Sequence, residues 1–186
     1  MTANEAVLSM IDALDALSVP YMLTGSYASN VFGIARSTQD ADFVVELGQS
    51  PLSQIAGRLG HSFRIDPQMS FETITGTSRY VIQPRDSLFK IDLFLLSDDA
   101  HDRERFQRRR PGAALGRTIW MSAAEDVVIT KLRWCRQGRR PRDVDDVRNV
   151  IAVQGDKLDW DYIHRWCDAH GTRALLDEIR ASLPPL

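Results

Sequence analysis

The chain has 186 residues, of which 44% are hydrophobic and 26% are charged, and its formal net charge is −2 at pH 7. These values are typical of a soluble globular protein with a hydrophobic core. No segment approaches the roughly 18 uninterrupted apolar residues of a membrane span, and "MTANEAVLSM" lacks the basic region of a signal peptide. Neither the two cysteines nor the four histidines have a metal-binding spacing, which argues against a zinc site. We therefore expect a cytoplasmic protein with no membrane partner.

Helix and strand patterns alternate through the first 120 residues. Thr2 and Glu5 form a capping box before an apolar helical repeat, which Pro20 ends. Ser50 and Pro51 predict an N-cap and the first residue of a later helix. The other predicted elements, in order, are the strand "YMLTG", a helix over 27–32, the strand "DFVVEL", a helix over 51–60, a hairpin around Gly76-Thr77, the strand "SLFKIDLFLL", a basic helix over 99–109 and the strand "LGRTIWMS".

From residue 122 the pattern becomes helical. Ser122 and Glu125 again have the spacing of a capping box. Helices are predicted over 122–137, 141–154, 160–170 and 172–181. The chain therefore divides into an α/β part, residues 1–120, and a C-terminal helical region, residues 121–186.

Basic residues are concentrated between positions 101 and 150. This stretch holds thirteen Arg or Lys and seven Asp or Glu, so it carries +6 and the remainder carries −8. Most of the basic side chains are arginines, whose planar guanidinium group makes paired hydrogen bonds to phosphate. The stretch indicates either a solvated polar surface or a site for an anionic partner.

An Asp-x-Asp motif, Asp40-Ala41-Asp42, begins one of the predicted strands. On a strand both aspartates point to the same side, with Cα atoms about 6.5–7 Å apart at a rise of ~3.3 Å per residue. Both carboxylates can then converge on divalent cations. The alternative is an Asx turn at Asp40 and an exposed Asp42.

A third aspartate, Asp92, lies within the apolar run "LFKIDLFLL". The alternation places one set of residues on one face and Asp92 on the other: Phe89, Ile91, Leu93 and Leu95 against Lys90, Asp92, Phe94 and Leu96. A buried charge without a partner costs several kcal/mol. Asp92 therefore pairs with Lys90 or an arginine, or it joins Asp40 and Asp42 in holding Mg²⁺, which prefers oxygen ligands.

The Gly25-Ser26 pair follows a predicted strand and precedes a predicted helix. Glycine permits a sharp turn and the close approach of a ligand. The first N–H groups of the helix form an anion site, to which the Ser26 hydroxyl adds a donor. A phosphate chain bound there would lie beside metals held by Asp40 and Asp42.

Together these residues resemble the DNA polymerase beta-like nucleotidyltransferase superfamily, whose pattern is Gly-Ser, a short helix, Asp-x-Asp and a third Asp on a later strand. "ARSTQDADFVV" is similar to the Arg-x-Thr-x-Asp-x-Asp form of small bacterial nucleotidyltransferases related to the type IV (abortive-infection) toxins. The later motifs of that subfamily have counterparts in Glu125-Asp126, Lys131-Leu132 and Arg142-Asp143-Val144-Asp145-Asp146. The resemblance covers about residues 20–150.

The resemblance implies a small mixed sheet flanked by helices and transfer of a nucleoside monophosphate from a nucleoside triphosphate to a hydroxyl group. It implies two Mg²⁺ ions, for which Mn²⁺ can substitute. The implied site residues are catalytic and metal-ligating Asp40, Asp42 and Asp92, catalytic Lys131, and nucleotide-binding Gly25, Ser26, Arg36, Lys131, Asp143 and Asp146.

Some of these roles stay open at the level of the sequence. Asp92 could also accept the proton of the attacking hydroxyl. Arg36 could contact phosphate or pair with a carboxylate, and a lone lysine such as Lys131 is usually exposed. Asp145 beside Asp146 leaves the last acid ambiguous.

Three functions are consistent with the sequence. The first is a toxin-like enzyme that modifies RNA, such as tRNA, or protein; it would use the arginine-rich segment 101–142 for RNA and could have a cognate antitoxin. The second modifies a small molecule such as an antibiotic and predicts an acidic acceptor cleft. The third is a non-catalytic nucleotide-binding or regulatory module, against which the presence of all three acids argues.

Overall fold

A mixed sheet of eight strands organises the chain in the computed structural model, which describes residues 1–48, 52–66, 68–136, 138 and 140–183. The strands are β1 (Tyr21–Thr24), β2 (Asp40–Val45), β3 (Phe63–Ile65), β4 (Ser70–Glu72), β5 (Thr77–Pro84), β6 (Lys90–Leu95), β7 (Arg110–Ala114) and β8 (Arg117–Met121). The α-helices are α1 (Ala3–Ala16), α2 (Gly25–Phe32), α3 (Leu52–Leu59), α4 (Ala100–Gln107), α5 (Ala124–Cys135), α6 (Pro141–Gln154), α7 (Trp160–His170) and α8 (Arg173–Ala181). Short 3₁₀ turns lie at Gly60–Ser62 and Gly155–Lys157.

The strand order is β3-β5-β6-β2-β1-β8-β7, and β4 pairs with β5. The pairs β2–β6 and β1–β8 are parallel, and the others are antiparallel. The predicted α/β class with a mixed sheet and flanking helices is confirmed. Within the described residues no helix is both long enough and apolar enough to cross a membrane.

The two faces of the sheet bury different residues. One face packs against α1 and α3 through the odd-numbered positions of the central strands, including Phe43, Ile91 and Leu93, which are fully buried. The opposite face carries the even-numbered positions and is covered in part by α4, where Val44 and Phe94 meet Phe106. The alternation predicted for β6 is therefore confirmed. It turns Asp92 away from the larger core.

The C-terminal helices form a second hydrophobic cluster. Its members come from α5, α6, α7 and α8, and they include Leu132, Val150, Ile163 and Leu176, each fully buried. Ala28 of α2 belongs to the same cluster, so these helices pack on the helix that follows β1. The division of the chain at residue 120 stays a prediction.

Most predicted elements are present, and the differences have local causes. The sequence analysis missed β3, which is only three residues long, and β7, which lies in the run "RRRPGAA". Pro111 fits β7 because β7 is an edge strand, where a missing N–H is tolerated. The N-cap predicted at Ser50, with Pro51 after it, lies outside the described residues.

The two predicted capping boxes have different outcomes. The box at Thr2 and Glu5 is present, with both reciprocal hydrogen bonds. The second box is wrong, because α5 has Ala123 as its N-cap residue and no side-chain cap. The buried hydroxyl of Ser122 has no partner among the described residues, and the Glu125 carboxylate accepts the backbone N–H of Asp159 instead.

One buried carboxylate joins three helices. Asp126 of α5 is fully buried and accepts a hydrogen bond of 2.6 Å from the Tyr162 hydroxyl of α7. His101 of α4 lies 3.2 Å from the same carboxylate, and the guanidinium group of Arg108 approaches its other oxygen at 3.5 Å. A buried charge needs such partners, so this node fixes α4 and α7 against α5.

We predict that Tyr162→Phe lowers the free energy of unfolding by about 1–3 kcal/mol, because it removes a donor from a buried carboxylate. Urea unfolding measures the change. Tyr27→Phe is the matched control, since the Tyr27 hydroxyl makes an exposed bond of 3.4 Å to Asn4 and should contribute less than about 0.5 kcal/mol. Equal losses in the two variants would contradict a structural role for the Asp126 node.

Candidate active site

The three predicted acids lie on one face of the sheet and line one cleft. Asp42 of β2 and Asp92 of β6 are direct partners in the parallel register. Asp40 pairs with Lys90, two residues earlier on each strand. Residues paired in register point to the same side of a sheet, so the carboxylates of Asp42 and Asp92 face the cleft together. The register thus places Asp92 on the same side of the sheet as Asp40 and Asp42, as a shared site requires.

The cleft concentrates negative charge. Burial, together with the charges of Asp40 and Asp92, raises the pKa of Asp42 to about 7. Burial also raises the pKa of Asp92, although the Arg79 guanidinium beside it acts in the opposite direction. Among the described residues no hydrogen-bond donor reaches the Asp42 carboxylate. Burial and the charges of Asp40 and Asp92 therefore oppose ionisation of Asp42 more strongly than Lys131 and Arg79 favour it.

The donor set fits a divalent cation. Carboxylate oxygens are the ligands that Mg²⁺ prefers, and the excess charge offers a cation a favourable place. The Nη1 atom of Arg79 lies 3.4 Å from the Asp92 carboxylate. The partner of Asp92 is thus an arginine and not Lys90.

Gly25 allows β1 to pass directly into α2 beside Asp42. Its φ of +62° lies in the left-handed region, and Thr24 pairs with Asp42 across the sheet. A Cβ at position 25 would lie 2.8 Å from Cγ of Asp42 and would overlap its carboxylate oxygen. The helix begins at Gly25, earlier than the predicted residue 27, and Thr24 provides no side-chain cap. The first N–H groups of α2 thus have no side-chain acceptor from their own N-cap residue.

A network of ion pairs connects the start of α2 to α5 and α6. Arg36 donates to Asp146 with both arms of its guanidinium group, at 2.8 and 2.7 Å, and its Nη2 donates to the Ser26 hydroxyl at 3.1 Å. The Lys131 ammonium group lies 2.8 Å from Asp146 and 2.9 Å from Asp143. Arg36 therefore pairs with a carboxylate, and that carboxylate holds Lys131 as well.

The network favours the charged forms of Lys131 and Asp146. Burial lowers the pKa of Lys131, but Asp143 and Asp146 outweigh burial and raise that pKa above its ordinary value. Burial raises the pKa of Asp146, and hydrogen bonds from Arg36 and Lys131 outweigh this and lower it. Asp145 points away, is exposed and pairs with Arg148. Lys131 is thus buried, and Asp143 and Asp146 are the acids that contact it.

The cleft has a volume of about 960 Å³ and contains residues that the sequence analysis did not single out. Arg79 comes from the predicted hairpin, where nothing in the sequence marks it as facing the site. Asp102 and Arg105 form a buried pair at 2.6 Å on α4, and the Arg105 guanidinium group lies 3.5 Å from the Thr24 hydroxyl. Only the tertiary arrangement brings these side chains to the cleft.

Most of the arginines in the basic segment have partners within the chain. Arg103, Arg105, Arg108, Arg133 and Arg140 form ion pairs with acidic side chains. Arg109 packs over the rings of Phe106 and Trp120. The formal charge of +6 is therefore not a continuous free surface. Arg140 and Arg142, both exposed, lie at the cleft itself.

Comparisons with known proteins identify the fold. No family model matches the chain, and no curated protein matches it in sequence. Solved structures do match: ANT(2'')-Ia in complex with adenylyl-2''-tobramycin has a TM-score of 0.65 at 14% identity and covers 94% of this chain and 99% of that one. The solution structure of the antibiotic-resistance factor ANT(2'')-Ia has a TM-score of 0.62 at 15% identity, and the match covers 96% of each chain.

An antigenic nucleotidyltransferase-like protein from Paracoccidioides brasiliensis has a TM-score of 0.56 at 15% identity, with 95% of this chain and 91% of that one covered. At such identities the likeness establishes the fold, so this chain has the nucleotidyltransferase fold. The superfamily resemblance predicted this result. The narrower resemblance to type IV toxins stays a prediction.

We predict that Gly25→Ala destabilises the protein more than Gly60→Ala does. The two glycines have similar φ angles, +62° and +65°, but a methyl group at position 60 meets nothing within 4 Å. Gly60→Ala should cost about 1–2 kcal/mol from the left-handed backbone alone, and Gly25→Ala roughly 1–3 kcal/mol more from overlap with Asp42. Urea unfolding measures both, and equal costs would mean that the Asp42 carboxylate moves aside freely.

We predict that Asp146→Asn lowers the free energy of unfolding by about 2–4 kcal/mol at pH 7, because Arg36 and Lys131 lose their shared counter-charge. The access of Arg36 to water limits this loss. The exposed Asp145→Asn is the control, with a change within about 0.5 kcal/mol.

The difference in unfolding free energy between wild type and Asp146→Asn should shrink as the pH falls. The folded pKa of Asp146 is lowered, so its contribution is complete above the unfolded value of about 3.9 and is lost as pH falls through the folded pKa. Unfolding free energies from pH 7 down to about 2 measure this. A difference that stays constant below pH 4 would contradict the charged network.

Proposed function

We propose that this chain is a nucleotidyltransferase that moves a nucleoside monophosphate from a nucleoside triphosphate to a hydroxyl acceptor with the help of a divalent metal ion. The observation that supports this most is the in-register pair of Asp42 and Asp92, which face one cleft beside the uncapped N-terminus of α2. Oxygen ligands for a metal and N–H donors for phosphate thus meet at one place.

In this proposal Asp40, Asp42 and Asp92 hold Mg²⁺, or Mn²⁺ in its place, two ions being expected from the superfamily resemblance. When bound, such ions stabilise charge on phosphoryl oxygens and orient the reacting groups. The acceptor oxygen forms a bond to the α-phosphorus as the bond to the bridging oxygen of the β-phosphate breaks, and pyrophosphate leaves. Asp92 takes the proton of the acceptor hydroxyl.

The α2 N-terminus and the ion-pair network would bind the triphosphate. Gly25 leaves its backbone open to a close ligand, and the Ser26 hydroxyl, which accepts from Arg36, can donate its own hydrogen to phosphate. Lys131 supplies a charge that Asp143 and Asp146 hold in position. Positioning and neutralisation of charge are the main contributions that a protein makes to phosphoryl transfer.

Two exposed arginines at the cleft, Arg140 and Arg142, favour an anionic acceptor such as RNA. Outside the three clustered aspartates, the acids of the cleft already have partners: Glu72 accepts the backbone N–H of Thr75, Asp102 pairs with Arg105, and Asp143 pairs with Lys131 and Arg140. A polycationic acceptor would therefore find few free carboxylates. Arg140 and Arg142 at the cleft offer phosphate contacts.

A small-molecule acceptor is the second candidate. The observation in its favour is that ANT(2'')-Ia, solved with adenylyl-2''-tobramycin, matches nearly the whole of this chain and is itself matched over 99% of its length. A toxin-like role with a cognate antitoxin is supported only by the sequence resemblance, through the motif around Asp40 and Asp42. The alternative of a non-catalytic module is weakened by the presence of all three acids in one cleft.

We predict that Asp42→Asn lowers nucleotidyl transfer by at least about a hundredfold, because it removes a charged oxygen ligand from the centre of the site. The protein is incubated with Mg²⁺ and each α-labelled nucleoside triphosphate, and label on the acceptor is counted. Asp145→Asn, which changes an exposed acid outside the cleft, should transfer like wild type. Full activity of Asp42→Asn on a proven acceptor would remove the metal assignment.

The same assay identifies the acceptor when total RNA, total protein and aminoglycosides are offered separately. Label in RNA supports the anionic acceptor, and the rate should then fall with rising salt and in Arg142→Gln. Label in an aminoglycoside supports the second candidate. No label, together with no binding of Mg²⁺ or nucleoside triphosphate, would leave the non-catalytic module.

A further inference from the structure

A second group of metal-type side chains lies at the start of α4 and the end of α7, on residues that the proposed reaction does not use. Asp99, His101 and His170 each offer one ligand atom, and these atoms all lie within 4.8 Å of one another. We propose that these three side chains bind one first-row transition-metal ion of the Zn²⁺ type. Two imidazoles and one carboxylate form a donor set that proteins use for such ions.

His101 has the environment of a metal-bound histidine. It is 1% exposed, and its Nε2 lies 3.2 Å from the Asp126 carboxylate. A carboxylate accepts hydrogen bonds, so Nε2 carries the hydrogen and Nδ1 keeps its lone pair. The Tyr162 hydroxyl fixes Asp126 in turn, at 2.6 Å. Metal-bound histidines commonly donate their second nitrogen to a carboxylate in this way, which fixes both the tautomer and the ring.

His170 supplies an independent sign of a missing partner. Its Nδ1 atom is buried and has no hydrogen-bond partner among the described residues. His170 is the last residue of α7, and Gly171 in the left-handed conformation ends the helix immediately after it, which fixes the backbone of the ligand. A buried ring nitrogen without a partner is costly unless something binds it.

Asp99 keeps capacity for one further partner. Its Oδ1 accepts the N–H of Asp102 and one arm of Arg133, at 3.0 and 2.9 Å, while its Oδ2 accepts the other arm at 2.7 Å. A carboxylate has about four acceptor positions, so Oδ2 retains one. Because Arg133 offsets the charge of Asp99, the imidazoles would dominate binding. The site should therefore prefer Zn²⁺ or Co²⁺ to Mg²⁺ or Ca²⁺.

Such an ion would join two parts of the chain that the sequence keeps apart. Asp99 and His101 follow β6, the strand that carries Asp92, whereas His170 lies near the end of the helical region. The sequence argued against zinc because no local spacing is present, and the three residues come together only when α7 packs beside α4. The competing explanation is aromatic packing, since the Trp166 ring lies 4.8 Å from His101 and 5.3 Å from His170.

The test uses the metals themselves on the chelator-treated chain of 186 residues in an Asp42→Asn background, which weakens the proposed catalytic metal site. Co²⁺ is titrated and its visible absorption bands are recorded, and Zn²⁺ is then used to displace it. We expect about one equivalent of Co²⁺ bound with imidazole ligation. We also expect Zn²⁺ to raise the Tm by on the order of 5 °C at one hundred times its Kd.

His170→Ala and His170→Gln should both lose the Co²⁺ bands and the Zn²⁺-dependent rise in Tm. The glutamine variant keeps much of the side-chain volume, and the Tm without metal reports whether either variant is folded. His164→Ala is the matched control, since His164 lies on the same helix but contacts Arg180 and Trp160 and should bind Co²⁺ like the parent. Absence of Co²⁺ bands in the parent, or bands unchanged in both folded His170 variants, would overturn the metal site in favour of aromatic packing alone.

Discussion

The parallel register of β2 and β6 is the constraint on which the candidate site depends. It places the carboxylates of Asp42 and Asp92 side by side on the face of the sheet that the main core does not cover. Burial, together with the charges of Asp40 and Asp92, raises the pKa of Asp42, so this placement has an energetic cost. The fold tolerates this cost because the opposite face of the same strands is packed with fully buried apolar side chains.

The surroundings of the two aspartates follow from this placement. Position 25 requires glycine, because the Asp42 carboxylate occupies the space where a Cβ would lie. The left-handed φ of Gly25 also lets β1 pass directly into α2. Arg79 from β5 approaches Asp92 and offsets part of its charge. Unbalanced charge of this kind tends to collect at functional sites, where a ligand can offset it.

The second half of the chain completes the cleft through charge, and not only through packing. Arg36 lies just before β2, yet its guanidinium group binds Asp146 of α6, which also holds Lys131 of α5. A buried ion pair contributes little to stability compared with apolar packing, but it fixes side chains in one arrangement. Here the chain of contacts runs from the Ser26 hydroxyl through Arg36, Asp146 and Lys131 to Asp143, so side-chain contacts link the start of α2 to the helical region.

The sequence by itself determined most of the elements, although not β3 or β7, and the face on which each acid lies. Strand alternation has a period of two residues, so it placed Asp92 on the opposite face from Leu93. The nucleotidyltransferase fold was predicted from the resemblance of Gly25-Ser26, Asp40 and Asp42 to the motifs of a known superfamily. Only the tertiary structure decided which side chains meet. Arg79 as the partner of Asp92, the sharing of Asp146 by Arg36 and Lys131, and the approach of His170 to Asp99 and His101 all join residues that are distant in the chain. Such contacts depend on the packing of whole helices and strands, which no local spacing encodes.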